Sequence, residues 1–413
     1  MKRLLSVGIM SAPTISISLQ GEYSFNGESY QGDYTATLKN GRVVFCGEEY
    51  DQLLFSGGES FTLHEVTIGV NFHWQRKEEQ SFKGDLKIIA GEDKVLYSEP
   101  ALIAVNMIDV EDYLASVISS EMSATSSLEL LKAHAVISRS WLLHPILNPH
   151  TGGNHQTSIE SDNSIIRWYE RDAHTLFDVC ADDHCQRYQG ITKQTSENVE
   201  KAIDATRGQV LVSTENGEVC DARFYKCCGG KTEQFETCWA DEHYSYLESV
   251  DDPYCDTRDR RILQQVLNNY DQETADFHDW SVRYSEHELT ELLRERSGID
   301  FGEVKDLIPV KRGPSGRIYK LRIVGTKRTI TVGKELEIRK WLSKSHLYSS
   351  WFDVEKREEG GETIFYLHGH GWGHGVGLCQ IGAAVMAEHG YKYEQILAHY
   401  FPNTILQEPN NLK

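Results

Sequence analysis

A glutamate that continues an apolar helical stripe is the first residue in this sequence whose placement suggests chemistry. Val110, Leu114, Val117 and Ile118 share one face of a predicted helix, and Glu121 extends that face. A carboxyl group held against apolar neighbours has a raised pKa, because desolvation disfavours its charged form. It then stays protonated near neutrality and can act as a general acid. The alternative is a solvated glutamate at a frayed helix end, or one that caps the next helix.

Two thiols and two imidazoles occur close together in a loop-rich, polar segment. They are His174, Cys180, His184 and Cys185, and these ligand types suit tetrahedral zinc. A disulfide between Cys180 and Cys185, or free thiols, are the alternatives that the residues leave open. Because four protein ligands leave no open position for water, we expect a zinc ion here to be structural. His184 is the weakest candidate, since adjacent residues seldom both bind one ion without a tight turn.

A glycine-rich loop near residue 370 carries three histidines and a tryptophan. His368, His370 and His374 suggest a second metal site at first sight. Glycine explains the segment better, because it allows positive φ and lets the backbone approach a ligand or another strand closely. Trp372 and His374 are candidate groove residues, and Trp372 either stacks on a ring of a ligand or is buried.

Three blocks of sequence follow one another in the order of a known bacterial family. The blocks are 110–114 with 120–122 and 131–141; 228–233 with 246–250; and 371–383 with 386–387, 390–391 and 399–404. Together they resemble the SpoIID/LytB family of cell-wall proteins, over about residues 105–405. Three ordered blocks are more specific than any one of them. His134 departs from the usual Gln, and Ser138, Ser140 and Trp141 replace the more familiar Ala, Thr and Tyr.

The resemblance implies a peptidoglycan lytic transglycosylase that cleaves the MurNAc-GlcNAc bond and yields 1,6-anhydro ends. It makes Glu121, in a Ser-Glu-Met motif, the single acid/base, and Arg139 an active-site residue able to hold a carboxylate or sugar oxygen. One carboxylate suffices because the muramic acid 6-hydroxyl itself attacks the anomeric carbon, whereas ordinary glycosidases need two. The predicted substrate-binding residues are His134, Gln186, Tyr188, Tyr225, Gly229, Gly230, Lys231, Trp372, His374 and Gln380.

The same resemblance implies cofactors, partners and competing functions. It favours zinc in the segment from His174 to Cys185, and peptidoglycan strands stripped of stem peptides as substrate. On the LytB side it implies a non-catalytic enhancer that binds peptidoglycan and stimulates an N-acetylmuramoyl-L-alanine amidase. The presence of both Glu121 and Arg139 favours the enzyme, because a pure binding protein needs neither. A metal-dependent hydrolase that uses the His/Cys segment is a third hypothesis, and chelation would abolish its activity without unfolding it.

Composition and charge restrict the partners and the location. The chain has 42 Lys and Arg against 62 Asp and Glu, a net charge of -20, which argues against nucleic acid as a ligand. No apolar run of about 18 residues is present, so we do not predict an integral membrane protein. Residues 1–10 look like the start of a signal peptide, but the short apolar run continues into an alternating pattern, so we predict a first strand. A cell-envelope or periplasmic location is therefore expected from the resemblance alone.

The cysteine pattern leaves the pairing of thiols open. Nine cysteines, an odd number, with Cys227 and Cys228 adjacent, make a complete disulfide framework improbable. Five of them lie between residues 220 and 255, where one or two bridges are compatible with an exported protein.

The spacing of apolar residues changes along the chain from the pattern of strands to the pattern of helices, and these strands and helices must position the candidate residues. Short alternating strands, including a hairpin with an Asn40-Gly41 turn, indicate an all-β N-terminal module. Helices follow: one is predicted to begin with a capping box at Ser126 and Glu129 and to run to about Leu143. Another is predicted to be capped by Ser285 and Glu288 and to end at Gly298. The predicted class is α+β (mixed α/β), and the predicted segments are a β module (1–104), a SpoIID-like catalytic core (105–255), an inserted α/β subdomain (256–349) and the C-terminal part of the core with the Gly/His-rich loop (350–413).

Overall fold

The computed structural model describes residues 4–68, 76–93, 97–123, 126–148, 157–169, 174–182, 185–192, 196–266 and 277–408. The strands are β1 (Leu4–Ala12), β2 (Thr14–Phe25), β3 (Glu28–Lys39), β4 (Arg42–Phe45), β5 (Glu48–Tyr50), β6 (Gln52–Phe55), β7 (Ser60–Ile68), β8 (Arg76–Phe82), β9 (Asp85–Asp93), β10 (Tyr97–Asp109), β11 (Ser158–Ser161), β12 (Ser164–Arg167), β13 (Val179–Cys180), β14 (Val210–Ser213), β15 (Phe224–Tyr225), β16 (Asp279–Ser285), β17 (Val304–Arg312), β18 (Ile318–Gly325), β19 (Thr329–Gly333), β20 (Phe352–Glu359), β21 (Glu362–His370), β22 (Leu378–Cys379) and β23 (Thr404–Gln407). The helices are α1 (Val110–Glu121), α2 (Leu128–Leu147), α3 (Glu197–Ala205), α4 (Phe235–Cys238), α5 (Arg260–Val266), α6 (Glu286–Ser297), α7 (Glu335–Trp341), α8 (Gln380–Glu388) and α9 (Tyr393–Tyr400).

Helices and strands are mixed along the chain, and the region before α1 is all-β, so the predicted fold class is confirmed. The chain divides into two compact units. The first unit contains residues 1–124 and 171–207, and the second contains residues 125–170 and 208–413. Within the described residues, no helix is both long and apolar enough to cross a membrane.

The first unit is built on two antiparallel sheets. Strands β5-β4-β3-β2-β7-β8 form one, and β13-β1-β10-β9-β6 form the other, in which β13 joins β1 in parallel. The predicted first strand is confirmed, since β1 pairs with β10 from Leu4 to Ala12. The predicted hairpin is also confirmed: Asn40 and Gly41 both have positive φ, 52° and 75°, which a two-residue hairpin turn of the I′ type requires.

Helix α1 follows β10 directly and forms because its start is capped and its apolar stripe is buried. The Asp109 side chain accepts a hydrogen bond from the Glu111 backbone N–H at 3.0 Å, which satisfies one of the free amides of the first turn. Tyr113, Leu114 and Val117 are fully buried on its inner face. The helix ends at Glu121.

Helix α2 in the second unit was predicted wrongly at both ends. Its N-cap is Ser127, which makes no side-chain capping bond, while the Ser126 hydroxyl donates instead to the Gln265 carbonyl at 2.7 Å. The helix continues past Leu143 to Leu147 with Pro145 inside its last turn. Of its 20 residues, 14 are buried and none is exposed, so tertiary packing outweighs the local signals that predicted a shorter helix.

The rest of the second unit is a set of small sheets with helices against them. The sheets are β11-β12-β19-β18-β17, β16-β21-β20, β14-β23 and β15-β22. Helix α6 begins with the predicted capping box of Ser285 and Glu288 and ends at Gly298, which has φ 72°. Strands from the predicted insertion pair with strands outside it, β19 with β12 and β16 with β21. The four predicted segment boundaries stay predictions.

Candidate functional site

The carboxylate of Glu121 lies at the end of α1, half-buried, beside a loop of the same unit. The backbone N–H of Arg187 donates to Glu121 Oε1 at 3.4 Å. An amide that points at a carboxylate stabilises its charged form, and partial exposure leaves the group reachable from solvent. The site therefore offers one carboxyl group with a fixed donor, which is the arrangement that a proton shuttle needs. The predicted rise in the pKa of Glu121 stays a prediction.

The loop that reaches Glu121 is held by three further hydrogen bonds, two with α1 and one with β10. Tyr113 donates from its hydroxyl to Gln186 Oε1 at 3.4 Å, and the Gln189 N–H donates to the Ser116 hydroxyl at 3.3 Å. The Tyr188 hydroxyl donates to Asn106 Oδ1 at 2.6 Å. Gln186 and Tyr188, predicted to bind substrate, are thus buried and fix the position of the loop.

Two buried tyrosines join this loop to the helix. The rings of Tyr113 and Tyr188 stack with centroids 5.0 Å apart. Burial raises the pKa of both hydroxyls well above the ordinary value, so both remain neutral donors at any physiological pH. The hydrogen bonds that they donate do not change with pH over that range.

The His/Cys segment forms a compact donor group in the first unit. Ligand atoms of His174, Cys180 and Cys185 all lie within 4.8 Å of one another. Cys180 is in β13, which β1 holds through the pairing of Gly8 with Cys180. His184, the fourth predicted ligand, lies outside the described residues. The three described residues fit three of the four positions around a tetrahedral metal ion in type and spacing.

A glycine in β1 gives this segment room to pack. A Cβ added to Gly8 would lie 2.5 Å from the Phe177 ring, so only glycine permits the ring to cover the strand at that point. Phe177 and Cys180 belong to a small apolar cluster with Ile103 and Val105 of β10. The donor group is therefore anchored to the sheet, and Cys185 leads directly into the loop at Glu121.

Arg139, the second predicted catalytic residue, belongs to the second unit and is fully buried in α2. Its guanidinium donates to the Gln209 carbonyl at 3.0 Å and to the Ala135 carbonyl at 3.4 Å. These contacts hold the start of β14 against α2. Its active-site role stays a prediction.

His134 of α2 is buried in a polar row. Its two ring nitrogens contact the Ser138 hydroxyl and the Gln380 side-chain nitrogen, each at 3.2 Å. The ring also packs edge-on against Phe224, with centroids 4.6 Å apart. Burial, with a smaller effect of Lys226, lowers the pKa of His134 to about 3. His134 and Gln380, both predicted to bind substrate, are thus brought together inside the second unit.

Replacing His134 with glutamine should make the protein less sensitive to acid. The pKa of His134 is about 3 when folded and about 6.5 when unfolded, so its contribution is fully present above pH 6.5 and is lost as the pH falls towards 3. At pH 5 the wild type should have lost about 2 kcal/mol of unfolding free energy through this residue, and His134→Gln should not. Urea unfolding at pH 7.5 and pH 5 measures the difference. The exposed His287→Gln is the control, and an equal loss in His134→Gln and wild type would contradict the prediction.

The glycine-rich loop of the second unit depends on its glycines. Gly371, Gly373, Gly375 and Gly377 all have positive φ, between 74° and 101°. A Cβ on Gly375 would lie 2.5 Å from the Arg317 guanidinium carbon. The loop therefore wraps closely around a buried arginine, as the glycine interpretation predicted.

The predicted groove residues of this loop differ in exposure and contacts. Trp372 is half-buried, between Phe277 at 4.8 Å and Tyr348 at 5.1 Å between ring centroids. Burial and neighbouring arginines lower the pKa of His374 well below its ordinary value, so its imidazole is neutral. The Tyr225 hydroxyl is buried without a hydrogen-bond partner among the described residues. His368 and His370 instead pair with Glu355 and Asp279.

The Gly229-Gly230-Lys231 segment lies beside that loop. A Cβ on Gly229 would lie 2.8 Å from the Gly371 backbone nitrogen, so the two glycine segments are in close backbone contact. Lys231 is more exposed and pairs with Asp251 at 3.4 Å. Gly230, Lys231, Trp372 and His374 are all partly exposed.

Sequence reasoning missed a second donor group, in which Cys228, Asp252, Cys255 and Cys379 converge. The crowding of cysteines near residue 228 was noticed, but as a source of disulfides. All nine cysteines have free thiols in the structure. Cys379 lies 151 residues from Cys228, so only the paired strands β15 and β22 bring it there.

Comparisons with known proteins match two stretches of the chain. Residues 98–212 match the family model described as stage II sporulation protein. Residues 233–377 match a domain of unknown function (DUF8618). The first stretch contains Glu121, Arg139 and the His174–Cys185 segment, and the second contains Asp252 and Cys255.

Individual relatives are similar at 24–25% identity. An uncharacterized protein of Brachyspira hyodysenteriae is 25% identical over 410 residues, 96% of this chain and 90% of its own length. Stage II sporulation protein D of Bacillus subtilis is 24% identical over 310 residues, 74% of this chain and 76% of the relative. The amidase enhancer of Bacillus subtilis is 25% identical over 323 residues, 71% of this chain and 40% of that protein.

Proposed function

We propose that this chain, a SpoIID/LytB family protein by its match to the stage II sporulation protein model over residues 98–212, is a peptidoglycan lytic transglycosylase that cleaves the MurNAc-GlcNAc bond. The family membership and the amidase-enhancer relative support a cell-wall-related role. The observation that carries the finer proposal is the half-buried Glu121 carboxyl, which meets the Arg187 backbone N–H at 3.4 Å.

Glu121 acts first as acid and then as base. Its proton passes to the glycosidic oxygen O4 of GlcNAc as the bond between that oxygen and C1 of MurNAc breaks. The C6 hydroxyl of the same MurNAc forms the new C1–O6 bond, and its proton returns to Glu121. The Arg187 N–H stabilises the carboxylate between these steps. No water is consumed, and no second carboxylate is needed.

We propose zinc as the ion for the group of His174, Cys180 and Cys185, with His184 as the remaining predicted ligand. Two thiolates and an imidazole are a donor set that zinc prefers, and their atoms lie within 4.8 Å. Bound zinc would supply a structural cross-link. Because Cys185 is two residues before Arg187, holding its sulfur also holds the backbone N–H that contacts Glu121.

We propose a sugar-binding surface within the second unit, considered by itself. Trp372 offers part of a ring face for stacking on a sugar, and Lys231 offers its ammonium group directly after the Gly229-Gly230 turn. Arg139 acts as a positioning residue through the Gln209 carbonyl. Strands without stem peptides are the proposed substrate, and the cell envelope is the proposed location.

The products distinguish this reaction from its alternatives. We expect wild-type protein, incubated with denuded glycan strands in H₂¹⁸O, to release 1,6-anhydro-muramic ends without ¹⁸O, as measured by mass spectrometry. Reducing ends that carry ¹⁸O would show hydrolysis and overturn the proposal. If a chelator then abolished the hydrolysis without unfolding the protein, the activity would be that of a metal-dependent hydrolase.

The amidase-enhancer relative supports one further candidate, a protein that binds glycan and stimulates an amidase. Strands bound but uncleaved, together with faster release of stem peptides by an added N-acetylmuramoyl-L-alanine amidase, would establish that function in place of the enzyme.

A further inference from the structure

A second group of metal-ligand atoms is buried inside the second unit. Ligand atoms of Cys228, Asp252, Cys255 and Cys379 all lie within 4.8 Å of one another, and each residue is at most 1% exposed. We propose that this group binds one structural zinc-type ion through three sulfurs and one carboxylate oxygen. The inference does not rest on the proposed function.

The spacing of the donors suits a tetrahedral ion. With bonds of about 2.3 Å, two sulfur ligands of zinc lie roughly 3.8 Å apart. The Cys228 sulfur is 3.2 Å from the Cys255 sulfur and 3.1 Å from Asp252 Oδ2. The donor atoms therefore lie slightly closer together than they would around a bound ion. Side-chain rotations that move each donor atom by a few tenths of an ångström would open the group to the bonding distance.

Backbone amides point at the sulfurs as they do in sites built for thiolates. The Gly230 N–H donates to Cys255 Sγ at 3.1 Å, and the Cys228 N–H donates to Cys379 Sγ at 3.3 Å. A third amide, that of Gly382, donates to Cys379 Sγ at 3.4 Å. Such donors stabilise negative charge on sulfur, which uncharged thiols in an ordinary core do not require.

The carboxylate is oriented by its own partners. Tyr400 donates from its hydroxyl to Asp252 Oδ2 at 2.9 Å, and the Tyr254 N–H donates to Oδ1 at 2.9 Å. A Cβ on Gly382 would lie 2.2 Å from the Tyr400 hydroxyl and 2.4 Å from Asp252 Oδ2, so a glycine is required at this position. Outer partners that fix a ligand in this way are a regular feature of metal sites.

A bound cation would compensate the charge that these ligands carry. When they bind an ion as three thiolates and one carboxylate, the ligands carry four negative charges, and burying that charge without a cation is prohibitive. A divalent ion removes two of them, the amides disperse part of the rest, and the His278 side chain hydrogen-bonds the Cys255 sulfur from outside.

A metal ion here would join three distant segments at the base of the glycine-rich loop. Cys228 precedes the Gly229-Gly230 turn, Cys255 ends the segment after Val250, and Cys379 caps α8 two residues after Gly377. Loading the site would therefore rigidify both glycine segments that form the predicted groove.

Zinc content per chain tests the proposal. The background is Cys180→Ser with Cys185→Ser, which removes two ligands of the first group. We expect this protein, purified from zinc-supplemented medium, to hold one zinc per chain by inductively coupled plasma mass spectrometry. Adding Cys379→Ser should remove it, while adding Cys238→Ser, a buried cysteine of the same unit outside the group, should retain it. No zinc in the background protein, or full retention with Cys379→Ser, would overturn the proposal.

Two measurements on the background protein alone keep the test decisive if Cys379→Ser does not fold. With Co²⁺ in place of zinc, the sulfur-to-cobalt charge-transfer band should have the intensity of three thiolate ligands, and an intensity for fewer would contradict the site. Peptide mapping should find Cys228 and Cys255 unlinked, whereas a disulfide between them would refute metal binding.

Discussion

Glu121→Gln should lower the release of anhydro-muramic products by about 10³-fold or more, because one carboxyl group both donates and accepts the proton in the proposed reaction. Glutamine keeps the size of the side chain and an oxygen that can accept from the Arg187 N–H, but it can neither give up nor take a proton at the reacting oxygens. Initial rates on denuded strands, followed by liquid chromatography with mass spectrometry, measure the effect.

Two controls separate lost chemistry from lost structure in this variant. Asp112→Asn changes an exposed carboxylate on the same helix and should keep the wild-type rate. Binding of Glu121→Gln to denuded strands, measured by co-sedimentation, should stay within a few-fold of wild type. A Glu121→Gln rate above a tenth of wild type would show that another group moves the proton.

Arg317→Ala should reduce the free energy of unfolding by about 3–5 kcal/mol, the range for removing one partner of a buried charged network. Arg317 is fully buried and donates to the Ser315 hydroxyl at 3.1 Å and to the Gly373 and Cys228 carbonyls at 3.2 Å each. Its loss removes the guanidinium donor of the Gly373 and Cys228 carbonyls, while the Ser315 hydroxyl still accepts from the backbone N–H of residue 317. It also removes the positive charge that lowers the pKa of the nearby Glu233, which burial already raises.

The matched control is Arg322→Ala, an exposed arginine in β18, the strand that begins directly after Arg317. We expect it to change stability by less than about 0.5 kcal/mol, as surface substitutions usually do. Urea unfolding followed by tryptophan fluorescence compares both variants with wild type. A loss below about 1 kcal/mol for Arg317→Ala would mean that the glycine-rich loop does not depend on this guanidinium.

Local signals in the sequence predicted the elements that depend on local interactions. The capping box at Ser285 and the glycine at 298 predicted both ends of α6, and the Asn40-Gly41 turn predicted the hairpin of β3 and β4. Helix α2 was predicted less well because burial of most of its residues determines its length, and burial is not a local property. The signal at Ser126 failed because its hydroxyl is bound to the Gln265 carbonyl, a distant partner.

The candidate sites also differ in whether their residues are near in sequence or are brought together only by the fold. His174, Cys180 and Cys185 are near in sequence, and their convergence could be predicted from spacing. The group around Cys228 could not, because Cys379 reaches it only through the parallel pairing of Tyr225 with Cys379. The family resemblance predicted that Arg139 and His134 act in the substrate site, but only packing shows that both side chains are buried.

The pairing of β14 with β23 sets an order of events while the protein is being made. Val210 of β14 pairs with Gln407 of β23, whereas every residue of the first unit precedes residue 208. On the ribosome the first unit can fold as soon as it emerges, but β14 must wait for its partner strand β23 until almost all of the described chain has been translated. A stalled or prematurely released nascent chain would therefore contain a finished first unit and an open β-strand edge, which is the kind of surface that molecular chaperones protect.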